Sequence, residues 1–155
     1  MKVKDVMTHD VKTCRIDDDV SSAAREMWMR NCGVLPVVDH RQQVIGILTD
    51  RDICIAAGSK NRPPSTIPVS EVMTRTLHSC APDSDIREAL QIMRQRQVRR
   101  LPVLDADGKL CGILSLDDVA LKAREAAKAG ELSAEDVEIT LEAICRRCPP
   151  QKEAA

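Results

Sequence analysis

Gly46-Ile47-Leu48-Thr49-Asp50-Arg51-Asp52 returns 66 residues later as Gly112-Ile113-Leu114-Ser115-Leu116-Asp117-Asp118, and this recurrence decides the fold. Carried outward without a gap, the same shift lays Val6-Met7-Thr8 on Val72-Met73-Thr74 and Leu35-Pro36-Val37 on Leu101-Pro102-Val103. Of the 48 positions from Val6 to Ile53, 17 are identical to their partners. A single copy of such a unit leaves an apolar face uncovered, so the two are expected to pack as a pair with pseudo-twofold symmetry. The seam between them is then a natural ligand site.

Within each copy the pattern reads β-α-β-β-α, an α+β fold. A short extended stretch, Lys12 to Ile16 or His78 to Ala81, precedes an amphipathic helix from Val20 to Asn31 or from Ile86 to Gln97. The helices present Val20, Ala23, Ala24, Met27 and Cys32, and Ile86, Ala89, Leu90, Met93 and Gln97, along one stripe. Apolar runs Val34 to Val38 and Val44 to Leu48 form a hairpin, and the equivalent turn in the second copy carries Asp107-Gly108. A closing helix starts at Thr49 or Ser115. The expected organisation is a first repeat over 1–57, a proline-bearing linker over 58–70, a second repeat over 71–129 and a helical extension over 130–155. In that extension Gly130 stops the preceding helix, Ser133 caps the next, and Val137, Leu141, Ile144 and Cys148 form its apolar stripe.

The composition removes several classes of function. Net charge is −1 over 155 residues, with acids and bases interspersed, which gives no polyanion-binding surface and argues against nucleic acid as a partner. The chain has no Phe, no Tyr and the single Trp28, so base recognition by aromatic stacking is nearly excluded. No apolar run has the length of a membrane helix or signal peptide, and a cytoplasmic protein without a membrane role is expected. Seven cysteines, with Cys32, Cys54 and Cys111 inside apolar segments, read as reduced thiols filling the core.

The repeated turn has a bland reading and a chemical one. Thr or Ser followed three residues on by Asp is a capping box at a strand-to-helix junction. Its occurrence twice in one register, with hydroxyl and carboxylate both repeated, also suits a nucleoside: a carboxylate in the first helical turn can accept from two ribose hydroxyls, and the helix N-terminus favours an anion. Gly46 and Gly112 are expected to let a flat ring approach the strand.

These motifs together resemble a tandem pair of CBS domains (named after cystathionine β-synthase), the Bateman module, over Val6 to about Ala120. The resemblance implies two clefts between the repeats, each taking an adenosine-containing regulatory ligand such as AMP, ADP, ATP, NAD or S-adenosylmethionine, with no covalent cofactor. It implies that Asp52 and Asp118 hold ribose hydroxyls, Thr49 and Ser115 bond ribose or phosphate, and Ile47 and Ile113 flank the adenine. The adenine edge would be read by backbone near Val11 to Thr13 and Leu77 to Ser79, bringing Thr13 and Ser79 to the site, with Thr8 and Thr74 in the opening segments. It further implies a homodimer that signals to an effector protein by conformational change.

Arg99 and Arg100 stand where the first copy has Gly33 and Val34, so the two sites are expected to differ in charge. The arginines are assigned to the cleft of Ser115 and Asp118, which is expected to bind anionic nucleotide more strongly, while the other is expected to prefer a ligand with less phosphate or to use Arg51 or Lys12 instead. A rival reading is a redox or metal sensor built on Cys145-Arg146-Arg147-Cys148, half of a zinc or dithiol motif. His9, His40 and His78 show no ligand spacing, no metal site is assigned, and no catalytic constellation is readable, which points away from an enzyme.

Overall fold

A computed structural model describes residues 1–128 and 132–146. Two hairpins form its centre. Strand β2 (Val34–Val38) runs antiparallel to β3 (Val44–Thr49), and β4 (Arg100–Leu104) runs antiparallel to β5 (Leu110–Ser115), with matching registers, Val37 opposite Gly46 and Val103 opposite Gly112. Both turns are drawn tight by an aspartate: Asp39 Oδ1 accepts from the amides of Arg41 and Gln43, and Asp105 Oδ1 from those of Asp107 and Lys109. Gly108 takes a left-handed φ of 77°, and its equivalent Gln42 is held at φ 63°.

Helices α1 (Val20–Arg30) and α2 (Asp50–Ser59) belong to the first copy, α3 (Ile86–Arg96) and α4 (Leu116–Lys128) to the second. Asp19 and Asp85 cap α1 and α3 by accepting from the amides of Ser22 and Arg87. Asn31 and Gln97, read from periodicity as the last helical residues, are instead left-handed C-caps at φ 50° and 52°. The expected opening strand forms only in the first copy, where β1 (Cys14–Arg15) pairs parallel with β2 and Ile16 donates its amide to Val38. Pro82 stands in place of Ile16 and has no N–H to give, so the second copy keeps a single bridge, Cys80 to Val103.

The copies are interlocked by exchange of their leading arms. Residues 1–8 lie on the second copy: Val3 and Lys4 donate to the carbonyls of Ser84 and Pro82, and Met1 accepts from Ile86. The same bonds recur 66 residues on, where Val69 and Ser70 donate to Asp18 and Ile16, and Ile67 accepts from Val20. Val3, Val6 and Met7 pack with Leu101, Val103 and Leu114, while Val69 and Met73 pack with Leu35, Val37 and Leu48. The segment read as a linker therefore ends in core: Ile67 and Val69 are fully buried.

Gly46 and Gly112 exist for this exchange. Thr74 and Ile47 trade two backbone hydrogen bonds at 2.8 and 3.0 Å, as do Thr8 and Ile113 at 2.9 and 3.0 Å. A Cβ on Gly46 would lie 2.7 Å from the Thr74 carbonyl oxygen, and one on Gly112 would lie 2.6 Å from that of Thr8. The glycines admit the arm's backbone rather than a ligand ring, which corrects the sequence reading.

Beyond the repeats, α5 (Ala134–Cys145) lies against α3 and α4. Leu132 and Thr140 are buried, and Val137 and Ile144 pack on the second core. Leu141, expected on that stripe, is exposed, because Thr140 faces inward and satisfies its hydroxyl on the Asp136 carbonyl at 2.6 Å. Gln97 ties down the helix end, donating to the carbonyls of Ala143 and Arg146 at 3.1 and 2.7 Å. Gly130 and Cys148 lie outside the described residues.

Gly112→Ala is expected to destabilise the protein by about 1–3 kcal/mol, the usual cost of an overpacked contact, because backbone rather than a flexible side chain must give way. Urea unfolding of Gly112→Ala and Gly46→Ala measures it, and an unchanged midpoint in both would show that the arm does not need the glycine window.

Candidate functional site

The two turns have nearly the same geometry. The Thr49 amide and hydroxyl donate to Asp52 Oδ2 at 3.0 and 2.7 Å, and Thr49 Oγ1 accepts from the Asp52 amide at 3.2 Å. At Ser115 and Asp118 the three distances are 2.9, 2.6 and 3.1 Å. A third box, Ser133 with Asp136, gives 3.0, 2.9 and 3.1 Å at the start of α5. Capping alone thus accounts for the residue pair, at about 1 kcal/mol for such a cap. What separates the first two boxes from the third is their surroundings.

Each of the first two opens on a cleft between the copies. The cleft at Ser115 and Asp118 has a volume of about 510 Å³, within the roughly 300–1,000 Å³ of ordinary small-ligand sites. Arg100, Ile113, Ser115, Asp117 and Asp118 come from the second copy; Thr8, Asp10, Val11 and Lys12, with the stretch Arg30 to Val34 that joins α1 to β2, come from the first. The cleft at Thr49 is smaller, about 240 Å³, and combines Ile47 and Thr49 with Thr74, Thr76, His78 and the stretch Val98-Arg99-Arg100. Asp52, expected in this cleft, does not line it: it stands behind Thr49, bonded to its hydroxyl, and the described structure gives its Oδ1 no partner. Oδ1 of Asp118 is likewise left over from the cap.

Several sequence-derived assignments change. Thr13 lines neither cleft, and Ser79 lines a separate hollow with Cys80 and Glu88. In the second arm Thr74, Thr76 and His78 alternate into the Thr49 cleft, whereas the first arm turns at Asp10, where Val11 donates to the His9 carbonyl, and brings Thr8, Asp10, Val11 and Lys12 to the Ser115 cleft. Asp10 and Thr76 were missed, and His78, within the segment expected to offer only its backbone, joins the lining; a two-residue alternation from Thr74 marks Thr76 and His78. Arg99 lines the Thr49 cleft and Arg100 lines both, against their assignment to the Ser115 cleft. Each cleft takes its turn from one copy and its pre-strand segment from the other, a pairing that exists only in three dimensions. Lys12 serves the Ser115 cleft, and Arg51 lines neither.

The result is an electrostatic contrast. Arg99, Arg100 and His78 surround the Thr49 cleft with no carboxylate in its lining. In the Ser115 cleft Lys12, Arg30 and Arg100 face Asp10, Asp117 and Asp118.

These features define a paired-repeat module with two inter-repeat clefts. The chain belongs to the CBS-domain family, whose family model matches residues 3–58 and 69–125 as a tandem pair. The Bacillus subtilis CBS domain-containing protein YhcV is 41% identical over 129 residues, covering 83% of this chain and 89% of its own length. The crystal structure of CBSX2 in complex with AMP matches with a TM-score of 0.70 at 26% identity, over 83% of this chain and 98% of that one. The structure of Hypoxic Response Protein I with two coordinated zinc ions matches with a TM-score of 0.71 at 29% identity, over 78% of this chain and 98% of that one.

Among the described residues no three His, Cys, Asp or Glu side chains are grouped as a metal ion requires, and no helix is long and apolar enough to cross a membrane. Cys145 is exposed and unpaired, and Cys148 lies outside the described residues. Among the described residues the buried thiols are Cys14 and Cys80, equivalent in the two copies; Cys32 and Cys111 are half-buried and pack on the two cores, whereas Cys54 is exposed, which corrects its core assignment. Cys54 lies in the apolar segment Ile53 to Ala57, but it falls on the outer face of α2.

Burial pushes the Cys14 thiol up to about 12, with Asp18 adding to the shift, and burial pushes Cys80 up to about 11. The folded chain holds these protons more tightly than the unfolded chain, whose thiols titrate near 9.0. The stability they carry is therefore intact below that pH and is lost as pH rises through 11 to 12. Urea midpoints should fall on going from about pH 8 to about pH 10.5, and less steeply in the Cys14→Ala, Cys80→Ala protein; equal slopes would remove the thiols as the cause.

Proposed function

We propose that the protein is a cytoplasmic regulatory module, without catalytic activity, that binds adenosine-containing ligands in its two clefts and signals their occupancy to an effector protein through a change of conformation. The observation that carries this reading is the pair of clefts, each framed by an aliphatic strand residue and a capped hydroxyl, with a carboxylate that keeps one oxygen to spare lining the Ser115 cleft and standing behind Thr49 at the other. Ile47 or Ile113 offers the adenine an apolar wall in a chain almost without aromatics. Asp52 or Asp118 offers its second oxygen to ribose hydroxyls, with charge assistance. Binding of AMP by CBSX2, a relative in fold and at 26% identity in sequence, supports the ligand class.

The Thr49 cleft is the anionic-nucleotide site. Its small volume suits the adenosine portion alone, leaving phosphates at the mouth beside the exposed Arg99 and Arg100. Guanidinium groups suit phosphate because their planar fork donates two parallel hydrogen bonds. The Ser115 cleft, balanced in charge and larger, suits a ligand with less phosphate, such as S-adenosylmethionine. Isothermal titration with AMP and adenosine is expected to show AMP binding weakened about tenfold or more by Arg99→Ala while adenosine binding is unchanged, as loss of one charged phosphate contact implies. Failure of the wild-type protein to bind AMP, ADP, ATP, NAD or S-adenosylmethionine would end the reading.

We further propose a homodimer joined through α1 and α2. Trp28, Met29 and Ile55 are 85%, 72% and 55% exposed on these helices, while α5 covers part of the corresponding α3 and α4 surface. Arg25, Glu26, Arg30 and Arg51 around them mix both charges, as a patch facing its own copy must. Sedimentation should show a dimer that Trp28→Glu converts to monomer; a wild-type monomer at all concentrations would overturn this.

A further inference from the structure

Two residues line both clefts, Val34 and Arg100, and they are equivalents under the 66-residue shift. Each is the first residue of its strand, and each sits across its hairpin from the capping hydroxyl residue, Val34 opposite Thr49 and Arg100 opposite Ser115. One copy thus places an aliphatic side chain at the shared wall and the other a guanidinium. Arg100 is exposed and has no hydrogen bond or ion pair with any described residue, so its side chain is free to turn to either cleft.

We propose that Arg100 couples the two clefts: an anionic nucleotide in the Thr49 cleft recruits its guanidinium and thereby weakens anion binding in the Ser115 cleft. The proposal rests on the nucleotide reading above. One guanidinium fork bonds one phosphate bidentately and cannot give the same bonds to a second. The Thr49 cleft also holds Arg99 and no carboxylate, so a phosphate there competes well for Arg100. Without Arg100, the Ser115 cleft sets Lys12 and Arg30 against Asp10, Asp117 and Asp118, and Arg30 is already paired with Glu26 at 3.3 Å. Its field then disfavours a phosphate. A nucleoside without phosphate has nothing to compete for, so the coupling acts on anions only. Linkage makes the effect mutual, each occupied cleft weakening the other by the same factor.

The test uses AMP and adenosine with the full chain, by isothermal titration. Thr76→Trp blocks the mouth of the Thr49 cleft from an exposed position, and Ile47→Trp blocks it independently from the strand; circular dichroism melting shows that each is folded. The Ser115 cleft of the blocked proteins is expected to bind AMP about 5- to 10-fold more tightly than the second AMP binds to wild type, and adenosine with no such difference. Arg100→Val, which makes the second copy like the first, should abolish the gap. Equal AMP affinities in blocked and unblocked protein, or a gap that persists in Arg100→Val, overturns the coupling while leaving nucleotide binding standing. Absence of AMP binding to wild type removes both.

Discussion

Of the backbone hydrogen bonds that join this molecule's two halves, four fix the arms against the strands: Thr8 with Ile113, and Thr74 with Ile47. They can form only because a glycine lies beside each isoleucine and leaves room for a carbonyl where a Cβ would stand. The arms that make these bonds bury Val3 and Val69 in the opposite halves, so neither core is complete without the other copy's leading segment. Burying such a side chain contributes roughly 1.5–3 kcal/mol, and the exchange therefore binds the halves more firmly than contact between two finished surfaces would.

The clefts follow from that exchange. An arm that pairs with a strand at Thr8 must continue past it, and the chain then brings Asp10 and Lys12 to the space at Ser115, as Thr76 and His78 are brought to that at Thr49. Capping fixes the floor: the hydroxyl and one carboxylate oxygen are spent on starting the helix, and the other oxygen stays available. The same residues thereby serve helix initiation and, in the function proposed, ligand recognition. Substituting them disturbs both, so a loss of stability at these positions says nothing by itself about ligand.

The second half has been closed off more than the first. α5, anchored by Leu132 and Thr140 and held at its end by Gln97, lies on α3 and α4, whereas α1 and α2 keep Trp28 and Met29 in solvent. The near-symmetry of the repeats is thus broken twice, at the helical surface by an added helix and at the clefts by Arg99 and Arg100 in place of Gly33 and Val34. The added helix extends the second core through Leu132, and the arginines change the charge around the clefts.

The elements were legible because they depend on local periodicity and caps: the two helices of each repeat, the hairpins, the Ser133 cap and the twofold character all follow from residues near one another in the chain. Local rules also mark Pro82, whose missing N–H explains the absent strand, and the alternation that brings Thr76 and His78 to the site. Three matters were decided only by the tertiary structure. The glycines proved to receive a backbone, since nothing local tells which partner will fill a missing Cβ. Leu141 and Thr140 exchanged places because the angle at which α5 meets α3 and α4 selects the buried stripe. Arg99 came to the Thr49 cleft and Arg100 to both, because a pseudo-twofold axis brings a segment of one copy to the turn of the other. The sequence by itself determined that the two repeats differ in charge at the start of their hairpins; which cleft holds the arginines depended on how the copies cross, a long-range arrangement that no neighbouring residues encode.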